Sequence, residues 1–413
     1  MEEPEIKVYG AHWCPDCRRS KQFLGEHQIP YTWVDIEENQ AAEDLVITLN
    51  QGKRIIPTIV FRDGSYLVEP SNAELAAKLG LKTSAKRSHY DVIVLGGGPA
   101  GLTAALYAAR EALDTLVIER AALGGQAAGT ERLENMPGFP DGVGGMEFSE
   151  RLRRQAERFG VELLQAQDVT GVRSHHQYQC VSTGDGKEYS ARALLVSTGS
   201  TYKRLNVPGE NDYLGAGVHF CATCDGPFYR GKRVAVVGGG NSATEESLFL
   251  TKFAEHVTIL VRGDKFRATQ IIQDKVLKNS QITVRWKTEI KEFLGAGSKL
   301  KALRLRKKET GSEEVLPVDG AFIFIGLTPN TGFLEGSGVR LNRWGFVVTG
   351  RELIHDGKRP AAYEGRDPYL LETSVPGIFA AGDVRDGSTK QVASAAGEGA
   401  SAALMIREYL KGI

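Results

Sequence analysis

Two Cys-x-x-Cys pairs stand in different settings along the chain. The first, Trp13-Cys14-Pro15-Asp16-Cys17, follows a short apolar run near the N-terminus. The second, Cys221-Ala222-Thr223-Cys224-Asp225, lies between two glycine-rich turns. These four thiols are all but one of the five cysteines. A dithiol at this spacing can open and close a disulfide by thiolate exchange. The glycine-rich turns are Gly96-Gly97-Gly98-Pro99-Ala100-Gly101 and Gly238-Gly239-Gly240-Asn241-Ser242-Ala243, each between a strand-like and a helix-like run. In that context helix N-terminal N–H groups receive the pyrophosphate of a dinucleotide. Two dithiols and two nucleotide sites in one polypeptide point to an electron relay, from a reduced nicotinamide through a flavin to the inner and then the outer dithiol.

The spacing assigns roles within each motif. Gly96 allows the tight turn, Gly98 admits the pyrophosphate and Gly101 lets the helix pack on the strand. Glu119 ends the next strand, Leu116-Val117-Ile118, where a carboxylate can bind ribose hydroxyls. The second turn leads to Val257-Thr258-Ile259-Leu260-Val261, which ends in Arg262 rather than an acid, with Arg267 nearby. Arginines in place of the carboxylate favour a 2′-phosphate, hence NADP over NAD; the alternative is a pair of solvated surface arginines. Asp225 is a candidate acid for a departing thiolate, or else a turn residue ahead of Gly226-Pro227. His219 is a competing acid and reads better as structural.

Cys14 follows a strand and begins a helix, where the dipole favours a thiolate. Arg18 and Arg19 add positive charge and Asp16 offsets part of it. Cys17, one turn on, is expected to be less exposed, so Cys14 is the exposed nucleophile. Ile56-Pro57-Thr58 is placed for a cis-proline opposite the dithiol, presenting backbone to an extended substrate; the plainer reading is a strand-entry proline. Cys180, in the alternating run Tyr178-Gln179-Cys180-Val181, reads as a buried inert thiol. No metal site is expected. A zinc knuckle needs a second close pair or histidines beside Cys221 and Cys224, and His175-His176 is a polar loop pair.

These residues must be carried by several domains, since 413 residues correspond to roughly two to four at ~100–200 each. Residues 1–81 hold a small α/β unit of thioredoxin-like pattern, with strands at Ile6–Tyr9 and Tyr31–Asp35, helices at Cys14–His27 and Ala41–Leu49, a hairpin at Ile59–Val68 and a closing helix at Asn72–Leu79. Residues 82–89 lack apolar periodicity and read as a linker, about 26–29 Å if extended and about 15 Å as a flexible coil. Tyr90 and Arg233 each open a dinucleotide-binding unit, an internal repeat. A buried strand at Gly377–Asp383 precedes an Ala-rich helix to Leu410. Residues 351–368 are polar and read as a surface excursion without an assigned purpose. The 51 basic and 51 acidic residues cancel, which argues against nucleic acid. No run approaches the ~18 apolar residues of a membrane span, and the acidic start is not that of a signal peptide. A cytoplasmic, reducing setting follows, in which Cys-x-x-Cys is catalytic rather than structural.

From Tyr90 onward the sequence resembles the low-molecular-weight thioredoxin reductases. The resemblance rests on the two glycine turns, Gly124-Gly125-Gln126, Glu134-Asn135-Met136-Pro137-Gly138, Cys221-Ala222-Thr223-Cys224-Asp225-Gly226 and Gly382-Asp383-Val384. Residues 6–81 resemble glutaredoxins of the mycoredoxin type, through Trp13-Cys14-Pro15-Asp16-Cys17, Ile56-Pro57-Thr58, Asp63-Gly64-Ser65 and Pro70-Ser71. The resemblance implies an α/β chain: a thioredoxin-like fold followed by two Rossmann-type, three-layer ββα dinucleotide-binding domains. FAD would occupy a domain formed by residues 90–206 and 322–413. NADPH would occupy an inserted domain, residues 207–321, and the chain would form a homodimer.

By position, Gly96, Gly98, Pro99, Ala100, Gly101, Glu119, Gly125, Gln126, Asn135, Thr198, Gly199, Gly382, Asp383, Gln391 and Val392 would contact FAD. Gly238, Gly240, Asn241, Ser242, Glu245, Arg262 and Arg267 would contact NADPH. In that family Cys224 faces the flavin, Cys221 attacks the partner disulfide and Asp225 is the acid. The expected partners are thioredoxin-like, glutaredoxin-like or peroxiredoxin disulfides, or a low-molecular-weight thiol disulfide. The chain departs from the family in three places. The paired arginine after the second strand is Arg262-Gly263, the 351–368 segment is longer, and the outer dithiol is fused in the same polypeptide. The large subunit that reduces bacterial peroxiredoxins also carries an N-terminal dithiol module, a bigger and doubled one. The rival readings are the same reductase fed by ferredoxin or another donor, and a redox-sensing flavoprotein without turnover.

Overall fold

Alternating apolar residues at Ile6–Gly10 make the first strand, β1, with Val8 buried at its centre. The structure, a computed structural model, describes residues 6–11, 13–26, 29–81, 84–130, 132–297, 299–354, 357–363 and 365–412; the side chains of Arg18, Gln22, Glu26 and Ala73 lie outside that description. After β1 come α1 (Pro15–Glu26), β2 (Thr32–Asp35), α2 (Gln40–Leu49), β3 (Thr58–Phe61), β4 (Tyr66–Val68) and α3 (Asn72–Lys78). The sheet order is β2-β1-β3-β4, with β2 parallel to β1 and the other two pairings antiparallel. Asn39 caps α2 through the Ala42 amide, and Ser71 with Glu74 forms a capping box on α3, so each start meets its orphan N–H groups. Phe23 and Leu24 turn inward onto Val8, Ile59 and Leu75. Gly10 has no room for a side chain: a Cβ there would stand 2.5 Å from Cys17 Sγ and 2.7 Å from the Trp33 ring. The strand therefore ends directly beneath the outer dithiol.

Residues 84–88 are tied down rather than coiled. Ala85 N–H donates to Tyr189 Oη at 3.5 Å, Lys86 N–H to Glu162 Oε1 at 2.8 Å and Arg87 N–H to Tyr90 Oη at 3.3 Å. Arg87 also pairs with Asp114, and Lys187 donates to Ser84 Oγ. The free-coil reach expected for 82–89 therefore does not apply: polar partners on the following domain fix most of it. Residues 82–83 lie outside the described residues.

The next domain opens with β5 (His89–Leu95), α4 (Pro99–Arg110), β6 (Thr115–Ile118), α5 (Gly125–Ala128), α6 (Gly145–Arg158) and β7 (Glu162–Leu164). A meander follows: β8 (Val169–His175), β9 (Tyr178–Thr183) and β10 (Glu188–Val196). The sheet runs β7-β6-β5-β10-β9-β8, parallel through β10 and antiparallel beyond it. All four residues of β6 are buried, as a strand covered on both faces requires.

A second compact unit comprises residues 130–144 and 200–329. It contains β11 (Ser200–Tyr202), β12 (Val218–His219), α7 (Ala222–Asp225), β13 (Arg233–Val237), α8 (Asn241–Leu250), β14 (His256–Leu260), α9 (Gln270–Lys278) and β15 (Ile282–Arg285). An antiparallel sheet of β16 (Thr288–Ala296), β17 (Lys299–Lys307) and β18 (Glu313–Pro317) precedes β19 (Gly320–Ile323) and β20 (Leu327–Pro329). The parallel sheet is ordered β12-β19-β13-β14-β15. The chain then returns to the first unit, where β21 (Ile378–Ala380) pairs with β10 and α10 (Val392–Lys411) closes the core over α4. The fold is thus a thioredoxin-like domain followed by two Rossmann-type α/β domains.

The excursion at 351–368 has a definite role in that closure. Tyr363 is buried and donates its hydroxyl to Thr373 O at 2.6 Å. Arg366 donates to both oxygens of Glu372, at 2.6 and 2.7 Å, and lies over the rings of Tyr363, Tyr369 and Tyr409. Glu372 is fully buried and also accepts from Tyr369 N–H and Gly377 N–H. Tyr409 belongs to α10, so one guanidinium joins the excursion, the turn before β21 and the last helix. Arg366→Ala should lower unfolding stability by about 2 kcal/mol. That lies below the ~3–5 kcal/mol of a fully buried pair because Arg366 keeps partial solvent screening. Denaturant titration of the intact chain checks this; an unchanged midpoint refutes it.

Candidate active site

The parallel register of β12 with β19 sets Val218 opposite Ala321 and His219 opposite Phe322, burying both β12 residues. The chain leaves that edge at Phe220, and Cys221 becomes the cap of α7. Cys221 and Cys224 form a disulfide. The Cys224 N–H donates to Cys221 Sγ at 3.2 Å, and Thr223 Oγ1 lies 3.2 Å from the same sulfur. These contacts suit Cys221 to carry the thiolate once the bond opens. Asp225, one residue beyond Cys224, reaches His219 Nδ1 at 3.3 Å. His219 Nε2 lies 2.6 Å from Tyr229 Oη, and burial raises the Tyr229 phenol above its ordinary value.

The outer pair repeats the arrangement with free thiols. Cys14 precedes α1, and the Cys17 N–H donates to its sulfur at 3.1 Å. Cys14 Sγ also lies 3.7 Å from Ile56 O, and the Ile56–Pro57 bond is cis. Burial, followed by the interaction with Cys14, pushes the Cys17 thiol up to about 12. One expectation needs correction. Cys14 is not an exposed sulfur: its residue is 4% exposed against 1% for Cys17, while neighbouring Trp13 is 59% exposed. Close packing against Ile56 covers it. Arg19 pairs with Asp16, the acid expected to offset its charge, and donates to Pro70 O at 3.1 Å. The Arg18 side chain lies outside the described residues.

The first glycine turn draws its surroundings together. A Cβ on Gly101 would meet Gly96 O at 1.9 Å, so only glycine allows α4 to start there. Cβ positions built on Gly96, Gly125 and Gly382 fall 2.9 Å from Thr198 Cα, 3.2 Å from Gly98 Cα and 3.0 Å from Ala100 Cβ. Pro99 occupies the first turn of α4 behind its Gly98 cap. Glu119 accepts from Gly97 N–H at 2.7 Å and Ala121 N–H at 2.9 Å, and burial raises its carboxyl pKa. Each oxygen retains capacity for a ribose hydroxyl. Thr198 and Asn330 exchange hydrogen bonds beside Gly199. Asp383 is raised by burial, and Lys390 Nζ donates to its carbonyl at 2.8 Å. Gln391 caps α10 and Val392 begins it. Gln126 is exposed on α5, and Asn135 is exposed on the 130–144 segment that belongs to the second unit. The open space over Gly98, where a Cβ would meet only Gly125 Cα at 4.0 Å, with the carboxylates of Glu119 and Asp383, fits FAD.

In the second turn, Gly240 caps α8 with open space around it, and a Cβ on Gly238 would stand 2.4 Å from Phe324 O. Arg267 N–H donates to Gly239 O at 2.6 Å, and Thr269 N–H to Asn241 Oδ1 at 2.8 Å. The loop bearing Arg267 is thereby pinned to the turn. Arg262, Arg267, Ser242 and Glu245 are exposed, and neither arginine has an ion-pair partner among the described residues, which fits a coenzyme phosphate. Glu246, absent from the sequence reading, is the acid of α8 turned inward: burial, then Glu245, raises its pKa, and its Oε2 lacks a partner. The apolar periodicity of α8 could have indicated it.

Cys180 is buried in β9 and remains a free thiol. No group of three or more metal-ligating side chains occurs among the described residues. No helix among them is long and apolar enough to cross a membrane.

Comparisons with known proteins agree with this geometry. The family described as pyridine nucleotide-disulphide oxidoreductase matches residues 90–399, and glutaredoxin matches residues 6–66. The thioredoxin reductase of Listeria innocua is 40% identical over 322 residues, covering 78% of this chain and 94% of the relative. That of Bacillus subtilis is also 40% identical, over 78% of this chain and 95% of its own. The thioredoxin reductase structure from Streptococcus pyogenes superposes with a TM-score of 0.71 at 36% identity, covering 79% of this chain and 99% of that one. The enzyme from Giardia duodenalis gives 0.70 at 33% identity, over 79% and 100%. Thioredoxin reductases bind FAD and NADPH, and both cradles described above are suited to them. The chain belongs to the thioredoxin reductases of the pyridine nucleotide-disulphide oxidoreductase family, and it carries a glutaredoxin domain at its N-terminus.

Proposed function

We propose that electrons from NADPH pass through FAD to the Cys221/Cys224 dithiol, then to Cys14/Cys17, and finally to an outside disulfide. The observation that carries this reading is the same amide-to-sulfur contact in both pairs, at 3.1 Å in one and 3.2 Å in the other. Bound FAD supplies the two-electron exchange between the nicotinamide and the inner dithiol. Gly96, Gly98, Pro99, Ala100, Gly101, Glu119, Gly125, Gln126, Asn135, Thr198, Gly199, Gly382, Asp383, Gln391 and Val392 hold it. Gly238, Gly240, Asn241, Ser242, Glu245, Arg262 and Arg267 hold NADPH.

Once reduced, Cys221 attacks Cys14 of an oxidised outer pair. The Cys221–Cys14 bond forms, the Cys14–Cys17 bond breaks, and Cys17 leaves as a thiolate that takes a proton. A thiol pushed up to about 12 holds that proton firmly. Cys224 then attacks Cys221 and releases the Cys14 thiolate. Asp225 is the acid for departing thiolates. Acceptors are thioredoxin-like, glutaredoxin-like or peroxiredoxin disulfides, or a low-molecular-weight thiol disulfide, and the enzyme works in the cytoplasm as a homodimer.

Two measurements test this reading. The double variant Cys17→Ser with Cys224→Ser should accumulate a Cys14–Cys221 mixed disulfide, identified by mass spectrometry. Finding Cys14 joined only to small thiols would make the outer domain an independent passenger. For the coenzyme, Arg267→Ala should weaken NADPH binding about tenfold or more, a loss of about 1.5–3 kcal/mol for a charge-assisted phosphate contact. NADH binding should be nearly unaffected. Equal losses for both coenzymes in titrations would sink the phosphate assignment.

A further inference from the structure

The loop 165–168, between β7 and β8, holds a buried amide that no group among the described residues satisfies. Gln167 is 2% exposed, and its Nε2 is buried without a hydrogen-bond partner. A buried donor left unmet carries the whole cost of its lost hydration, so a native fold that keeps one calls for an explanation. The hydroxyls of Ser20 and Ser149 also lack partners. Each of those lies within a helix, where rotation about Cα–Cβ reaches a carbonyl one turn back. Gln167 stands outside any helix and has no such carbonyl.

The sheet register places this amide. β7 runs parallel to β6, with Val117 opposite Leu163 and Ile118 opposite Leu164. The ladder continues past the ends of both strands. Glu119 N–H donates to Leu164 O at 2.8 Å, and Gln167 N–H donates to Glu119 O at 3.1 Å. Gln167 therefore sits beside Glu119 at the C-terminal edge of the sheet, where ligands of such sheets bind. The loop is held from its other side as well. Ala166 has a φ of 56° and is buried in the apolar cluster of the glutaredoxin domain, with Ile6, Phe23 and Leu75 among its members. With residue 166 packed on one side and the Gln167 backbone bonded on the other, the loop cannot shift to bring Nε2 to water.

The order of the first cradle says what would meet that donor. The glycine turn after β5 suits the pyrophosphate, and Glu119 at the end of β6 suits the ribose hydroxyls. One strand further along the same edge is β7, so the base carried by that ribose is the part of FAD due beside Gln167. We propose that Gln167 is a specificity-determining residue for the adenine of FAD, its Nε2 donating to a ring nitrogen of the base. The inference rests on the FAD placement proposed above. Adenine suits the position because its ring nitrogens accept hydrogen bonds, which an apolar ring of the same shape cannot do. The donor is unmet in the protein alone and met in the complex, so its hydrogen bond counts toward binding rather than toward folding.

The test uses the full-length chain, with flavin bound and with flavin removed. Two dinucleotides are compared: FAD, and an analogue with indole in place of adenine, which keeps the two-ring shape and lacks the accepting nitrogens. Gln167→Leu removes the donor. Gln167→Met, closer in length, is the second variant in case the first packs badly. Affinities read from the change in flavin fluorescence on binding give the preference for FAD over the analogue. That preference should fall about tenfold in the variants, through weaker binding of FAD alone. Denaturant titration of the flavin-free protein should give the variants a midpoint no lower than wild type, because an unmet buried donor has been replaced by an apolar group. An unchanged preference, or flavin-free variants less stable than flavin-free wild type, overturns the proposal and leaves the cradle standing. Wild-type protein that binds neither dinucleotide overturns the FAD placement, and the proposal with it.

Discussion

A backbone N–H three residues beyond a cysteine, at the first turn of a helix, governs both dithiols. At 3.6 residues per turn, the third residue onward returns to the same side of the axis. The Cys17 and Cys224 amides therefore meet Cys14 and Cys221 Sγ at 3.1 and 3.2 Å. One sulfur of each pair is solvated by the helix start and the other is not, which gives each pair a direction. The remaining structure has to deliver a strand to the right point. β1 does this with a glycine against Cys17, and β12 does it with only two residues held beside β19.

The two pairs differ in what surrounds that shared contact. The outer sulfurs meet backbone groups, the Cys17 amide and the Ile56 carbonyl. Arg19 is diverted to Asp16. A surface arginine beside a carboxylate contributes little to a neighbouring thiol, so the helix start and burial govern the outer pair. The inner pair has Asp225 within reach of His219 and, through it, Tyr229. Titratable side chains thus gather beside the inner pair, while the outer sulfurs are met by backbone groups.

Much of this was legible in the sequence because it depends on short-range rules. Cysteine spacing, glycine turns between strand and helix, and period-two alternation are local, and the elements from β1 to α3 follow them within a residue or two. What was not legible depends on partners distant in sequence. The polar run at 84–88 looked like a free coil, and nothing within it says that Glu162 and Tyr189 receive its amides. The 351–368 excursion looked purposeless because Arg366 finds its rings on both sides of β21, with Tyr409 far along α10. Cys14 looked exposed because the backbone that covers it arrives from Ile56. The contact between Asp225 and His219 spans only six positions. It required knowing that β12 is a buried edge and that the chain turns back immediately after it.

The C-terminal wall of the proposed FAD cradle bears on how folding and ligand binding would be linked. Glu398 on α10 takes both Arg385 and the Gly382 N–H, and the ion pair is largely buried. Burial lowers the Lys390 pKa and raises that of Asp383, so the surroundings disfavour the charged form of each. The signs are opposite in pH. Asp383 makes folding less favourable as pH rises through its raised value, and Lys390 does so as pH falls through its lowered one. A fold optimised only for stability would carry neither group there. Groups whose charged forms are disfavoured where they sit are consistent with a role beyond stability. A ligand that binds only the folded state offsets that cost by about 2.7 kcal/mol at a hundredfold excess over its dissociation constant. The Arg366–Glu372 tie and the packing of α10 over α4 hold the wall in place before any ligand arrives. The excursion is therefore part of what makes the site affordable to the fold.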